Sequence, residues 1–158
     1  MPLIQKLACA IWPVAYAEIL SAEQLKYMLD LFYSVPALEG QLAGGQQFLL
    51  LWEEETPIGF AAFGITEKSG TWKLQKLYML PDKQGTGGGK QLLQEVEKRT
   101  ASSGARELTL NVNRHNKAVE FYHRQGYQIT LEEDIEIGNG YFMNDYRMAK
   151  QLKFPAMH

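Results

Sequence analysis

Leu77-Tyr78-Met79-Leu80-Pro81-Asp82-Lys83-Gln84-Gly85-Thr86-Gly87-Gly88-Gly89-Lys90 is the stretch on which the reading of this chain turns. An apolar run stops at a proline, four glycines follow within residues 85–89, and Leu92, Leu93 and Val96 then repeat on one face of a helix reaching about Ser103. Glycine costs about 1 kcal/mol inside a helix, so this clustering points to a demand beyond folding. A glycine-rich turn between a strand and a helix presents bare backbone N–H groups, and the helix dipole adds partial positive charge there. Such a turn suits a phosphate or pyrophosphate. Lys90, in the first helical turn, opposes the dipole but complements an anion. Two nucleotide loops fail on spacing. A Walker A loop needs glycine where Gln84 stands and Ser or Thr where Gln91 stands. The dinucleotide fingerprint needs glycine at Lys90 or Leu92.

Working outward, the chain alternates helix and strand signals. Ser21-Ala22-Glu23-Gln24 fits a capping box, with Gln24 reaching back to its cap, and opens a helix carrying Leu25, Met28, Leu29 and Phe32. That helix ends by Pro36. Strands are expected at 48–52 and 58–63, flanking a turn over 53–57, and at 72–80 and 108–112. Asn116 caps a helix over 117–125 that Gly126 ends. In 128–137, Ile129, Leu131, Ile135 and Ile137 alternate with Glu132, Asp134 and Glu136, an amphipathic strand of period two. Gly138-Asn139-Gly140 turns it back into a last strand over 141–148. This order predicts an α/β protein with a mixed, mostly antiparallel central sheet flanked by helices, in one domain spanning 1–158.

The chain has 158 residues, 46% apolar and 22% charged, the balance of an ordinary globular domain. A net charge of −2 offers no basic excess for a phosphate backbone, which argues against nucleic acid as a partner. The opening Met1-Pro2-Leu3-Ile4-Gln5-Lys6 and the apolar run to Val14 are too short and mixed for a membrane span. One cysteine, Cys9, cannot close an internal disulfide, and no Cys/His spacing suggests a metal. These features predict a cytoplasmic protein, with Cys9 buried and inert in its apolar stretch.

Gln84, Gly87 and Gly89 satisfy Gln/Arg-x-x-Gly-x-Gly/Ala after a strand ending in Leu-Pro. Here the sequence resembles the GCN5-related N-acetyltransferase (GNAT) family. The segment from Asn113 to Tyr127 is similar to that family's second block, Asn-x-x-Ala-x-x-Phe-Tyr-x-x-x-Gly-Phe/Tyr. Ala118 falls one place closer to Asn116 than is common, while Phe121, Tyr122 and Gly126 keep their places. Gly88 stands where an aliphatic residue is commoner, and a third glycine should loosen the loop. The resemblance covers roughly 48–148. It implies acetyl-CoA as co-substrate, with its pyrophosphate on Gln84, Gly85, Thr86, Gly87, Gly88, Gly89 and Lys90. Leu77, Tyr78 and Met79 would offer backbone groups to the pantetheine arm, the Met79 N–H would face the oxyanion, and Asn116 would touch the arm.

Acetyl transfer to an amine needs a held thioester, a neutral amine, an oxyanion donor and a proton for the thiolate. The resemblance gives the last role to Tyr122, whose phenol stays protonated at neutral pH. Without it, Phe121 and Tyr122 read as core aromatics of a helix stripe. Glu39, Glu132, Asp134, Glu136 and Asp145 are all open as general base. His115 and His123 read as solvent-exposed. Glu132, Asp134 and Glu136 would favour a cationic acceptor if their face borders the cleft, and are otherwise a wet strand face. Tyr27 and Tyr33 on the first helix could line the acceptor site or simply pack. Residues 16–29 taken with 134–146 resemble a bacterial subgroup that acetylates spermidine and spermine. The expected acceptor is therefore a polyamine or other small cationic amine, with Tyr33, Asp134 and Glu136 as its contacts. A non-catalytic acyl-CoA sensor and an acetyltransferase of protein N-termini or lysines are the alternatives. Family habit implies a homodimer.

Overall fold

The computed structural model describes residues 2–153; Met1 and residues 154–158 of the expected domain span lie outside the described residues. Six strands form one sheet in the order β1-β2-β3-β4-β6-β5. They are β1 (Gln47–Glu53), β2 (Thr56–Ile65), β3 (Thr71–Met79), β4 (Glu107–Asn113), β5 (Gln128–Gly138) and β6 (Tyr141–Gln151). All neighbours run antiparallel except β3 and β4. Every strand foreseen in the sequence is present. The first hairpin turn is tighter than expected: Glu54 and Glu55 alone make it, with Glu54 at φ 55, and Pro57 enters β2 beside a bulge at Leu51/Trp52.

One sheet face is covered by α1 (Pro2–Ala15), α2 (Ala22–Tyr33) and α3 (Val35–Ala43), the other by α4 (Gly88–Ser102) and α5 (Ala118–Arg124). Helix α1 was not expected. Its buried residues Ile4, Leu7, Ala8, Ile11 and Trp12 do follow helical spacing, but Pro13 in the last turn masks the pattern. Cys9 lies on the opposite side of that helix and is exposed, which corrects the expectation of a buried thiol. Helix α2 ends at Tyr33 because Ser34 is extended. The Ser34 hydroxyl then caps α3, which places Pro36 in its tolerant first turn. The capping box at Ser21 is half made. Ser21 Oγ accepts from Gln24 N at 3.1 Å, but the Gln24 side chain donates instead to Phe142 O at 3.1 Å, tying α2 to the β5–β6 hairpin. Among the described residues, no helix is long and apolar enough to cross a membrane.

The glycine turn is tighter than its composition suggests. Gly87 caps α4 at φ 89, a conformation that favours glycine. Gly88, expected to loosen the turn, is buried instead, because a Cβ there would sit 2.5 Å from Met79 Cε and 2.9 Å from Leu51 Cδ2. Gly59 on β2 approaches the Met79 sulfur in the same way. The Met79 side chain thus runs between two glycines, which locks the start of α4 against the end of β3. Gly59→Ala would set a Cβ against the Met79 sulfur and 2.9 Å from the Tyr78 carbonyl oxygen, a backbone atom that cannot swing aside. The expected loss is about 1–3 kcal/mol of stability, read from urea denaturation; an unchanged midpoint would contradict the slot.

Candidate active site

Strands β3 and β4 pair only from Thr71↔Glu107 to Leu74↔Leu110, yet β3 continues to Met79 and β4 to Asn113. Beyond Leu74 they part. Leu80 N donates to Ile58 O at 2.8 Å, and antiparallel pairing alternates from there, so the backbone groups of Tyr78 and Lys76 turn toward β2. Those of Leu77 and Met79 face the gap, where no strand partners them. Buried backbone groups require partners, so this edge suits an extended, amide-bearing ligand arm. The turn over 84–89 stands at the end of the same strand. Gln84, Gly85, Thr86, Gly87 and Lys90 are exposed, and Thr86 Oγ1 donates to Lys83 O at 2.6 Å.

A cavity of about 330 Å³ adjoins the gap. Its lining brings together Leu77, Tyr78, Asn116, Tyr122 and Tyr33 from distant parts of the sequence. Tyr78 contributes its side chain rather than its backbone, and its hydroxyl lies 3.0 Å from that of Tyr16. The Met79 side chain lies on the other sheet face, leaving only its backbone to the gap. Tyr122 is 7% exposed, and burial, reinforced by Tyr16, pushes its phenol above the ordinary value. Asn116 Oδ1 accepts from Ala118 N at 2.9 Å, so it starts α5 one residue later than expected. Tyr33 packs edge-on against Trp12 and Phe60, and burial raises its phenol too. Tyr27 donates to Ile137 O at 2.8 Å, which fastens α2 to β5 rather than opening toward a ligand.

Asp134 and Glu136 fall elsewhere. Strand β5 is the sheet edge, its even-numbered residues Glu132, Asp134 and Glu136 are exposed, and Ile135 and Ile137 on the other face line the cavity. The acidic face therefore does not border the cleft, and Asp134 pairs with Arg114. His115 and His123 are exposed. The charges that do line the cavity are Asp145, Lys73 and Lys76. Of these the sequence reading singled out only Asp145, as one of five possible bases. A bulge in β3 at Gln75, visible only in the register, turns Lys73, Lys76 and Tyr78 to one face.

The chain matches the family described as Acetyltransferase (GNAT) domain over residues 16–150. An uncharacterised N-acetyltransferase of Mycobacterium tuberculosis is 27% identical, over 92% of this chain and 93% of the relative. A spermidine N(1)-acetyltransferase of Thermoplasma acidophilum is 30% identical, over 75% of this chain and 76% of its own. The crystal structure of PaiA N-acetyltransferase from Thermoplasma acidophilum, in complex with coenzyme A, superposes with a TM-score of 0.80 at 27% identity, covering 95% of this chain and 91% of that one. The family match and the coenzyme A-bound neighbour make this chain, with its parted parallel strand pair, glycine turn and adjoining tyrosine-lined cavity, an acyl-CoA-dependent acyltransferase. The chain belongs to the GNAT family and is an acetyl-CoA-dependent N-acetyltransferase.

Lys76 is 8% exposed; its Nζ donates to Gln41 Oε1 at 2.6 Å and lies 5.5 Å from the Tyr33 ring centre. Burial, aided by the charge of Lys73, lowers its pKa to about 8. A cation depressed in this way costs stability at and below pH 8 and costs progressively less as pH climbs toward the ordinary 10.5. The wild type should therefore gain on Lys76→Met between those limits. Urea denaturation of both proteins at pH 7.5 and 10 measures this, and a pH-independent difference would show that Lys76 titrates normally.

Proposed function

We propose that this enzyme acetylates the primary amine of a small cationic acceptor of the polyamine class, with Tyr122 protonating the departing sulfur. The observation that carries the reading is that the buried Tyr122 lines a cavity that also takes Leu77 from the unpaired edge of β3. The backbone N–H of Met79 is the donor for the oxyanion, since it faces the gap with no strand partner. Residues Gln84 to Lys90 receive the pyrophosphate at the start of α4, where exposed N–H groups and the helix dipole favour an anion. Leu77 and Asn116 border the pantetheine arm.

The chemistry proceeds by attack of a neutral amine on the thioester carbonyl. The carbonyl oxygen gathers charge toward the Met79 N–H, and the carbon–sulfur bond then breaks. Tyr122 gives its proton to the sulfur. Burial raises the phenol, and the same desolvation raises the departing thiol, so the proton transfer stays within reach.

The likeness to a spermidine N(1)-acetyltransferase supports a polyamine, as does an aromatic wall of Trp12, Tyr16 and Tyr33 that suits a cation. Support from Asp134 and Glu136 falls away, because neither lines the cavity. A second reading, an amine that also bears a carboxylate, is favoured by the two lysines set against one aspartate in the lining. Coenzyme A release should be followed with a thiol reagent against spermidine, spermine, a diamine, lysine and a neutral amine. Turnover concentrated on the polyamines is the expected result; a preference for lysine would select the second reading. Tyr122→Phe should lower kcat by about 10²–10⁴-fold with little change in acetyl-CoA affinity. Undiminished turnover would remove Tyr122 from the mechanism.

A further inference from the structure

Asp145 on β6 is 3% exposed and lines the cavity. Among the described residues it forms no ion pair, whereas its neighbours do: Glu133 with Arg147 at 2.6 Å, and Asp134 with Arg114. Its hydrogen bonding is thin. Asn111 Nδ2 donates to Asp145 Oδ2 at 3.3 Å and makes the shorter bond, 3.0 Å, to Glu133. A carboxylate has about four lone-pair sites, so most of its capacity is unused. A buried carboxylate without a counter-ion is costly, and folding alone gives no reason to keep one. The other acidic residues open as base (Glu39, Glu132, Asp134 and Glu136) are exposed and line no part of the cavity.

We propose that the missing counter-ion is the acceptor itself: Asp145 seats the substrate's ammonium group and takes the proton that nitrogen must lose before it attacks. This rests on the amine-acetyltransferase reading above. The proton passes from the ammonium to a carboxylate oxygen, leaving a neutral amine. The nitrogen–carbon bond forms as the carbonyl electron pair moves to oxygen, and the carbon–sulfur bond breaks with its pair going to sulfur. Tyr122 protonates that sulfur and is restored by the second nitrogen-bound proton. Asp145 returns its own proton to solvent, so one amide, one thiol and one proton leave.

The groups around Asp145 fit this role. Burial raises its pKa and Glu133 on β5 adds to the rise, while the Asn111 hydrogen bond, Lys73 on β3 and Arg114 after β4 pull it down. Arg147 on β6 is occupied by Glu133, and the Tyr16 phenol, within the field of Asp145, is itself raised. The net rise makes Asp145 a better proton acceptor than a free aspartate. It also means that Asp145 costs stability in full above its raised pKa and costs progressively less as the pH falls from there toward the ordinary aspartate value.

Asp145→Asn keeps the shape and removes the charge. Its kcat/KM for spermidine at pH 7 should fall by about 100-fold or more, with acetyl-CoA affinity unchanged. The deficit should narrow as pH rises, because the variant can use only amine that is already neutral. Its thermal midpoint should equal or exceed that of the wild type, and calorimetry should show weaker spermidine binding. Activity within twofold of wild type at every pH, or a deficit that is constant with pH and accompanied by a lower midpoint, would overturn the role. If the wild type turns over no amine, the acetyltransferase reading fails separately. The calorimetric comparison then decides whether Asp145 binds an ammonium group.

Discussion

The parting of β3 from β4 organises everything else in this molecule. Each strand is held on its outer side, β3 by β2 through Gly59↔Met79 and β4 by β6 through Asn113↔Asp145. Their inner edges can therefore separate without loosening the sheet. The bulge at Gln75 falls just past the last parallel pair, where it adds twist to β3. On one side of the gap α5 brings in Tyr122; on the other, the Tyr16–Tyr78 hydroxyl pair joins the turn after α1 to β3. An open edge of this kind leaves amide groups facing the gap, and an amide-bearing arm answers that requirement with the same hydrogen bonds a strand would make.

Stability of the gap depends on how α4 meets β3. The Met79 side chain fills the slot left by Gly59 and Gly88, so the strand end, the glycine turn and the helix start are fixed relative to one another. Binding an extended co-substrate would otherwise carry the entropy of ordering that turn. Here the order exists beforehand, while Gln84 to Gly87 and Lys90 remain exposed.

The sequence was most informative where backbone chemistry leaves a signature in residue type. Glycines at a helix start, a proline closing a strand and period-two alternation in β5 were all legible, and each element appears in place. It was least informative where function depends on which face a residue takes. Asp134 and Glu136 alternate correctly along β5, but alternation cannot say which face meets the cleft, and the apolar one does. Lys73 and Lys76 carry no signal of their own in the sequence, because the bulge at Gln75 that turns both toward the cavity is a matter of register. Gly88 was misjudged because its tight neighbour, Leu51, lies in a strand far away in sequence. Helix α1 followed its own spacing, and a closer count across Pro13 would have found it.

The two sheet faces divide the work in a way that the charges make explicit. The α4–α5 face is an apolar core with glycines at its rim, suited to holding a constant partner in one geometry. On the α1–α3 face lie a carboxylate with unused lone pairs and a lysine bonded only to a neutral amide. Each costs folding free energy, since neither has an ion-pair partner among the described residues. Their positions, around one cavity and on opposite sides of the gap, locate that cost where a charged acceptor would relieve it.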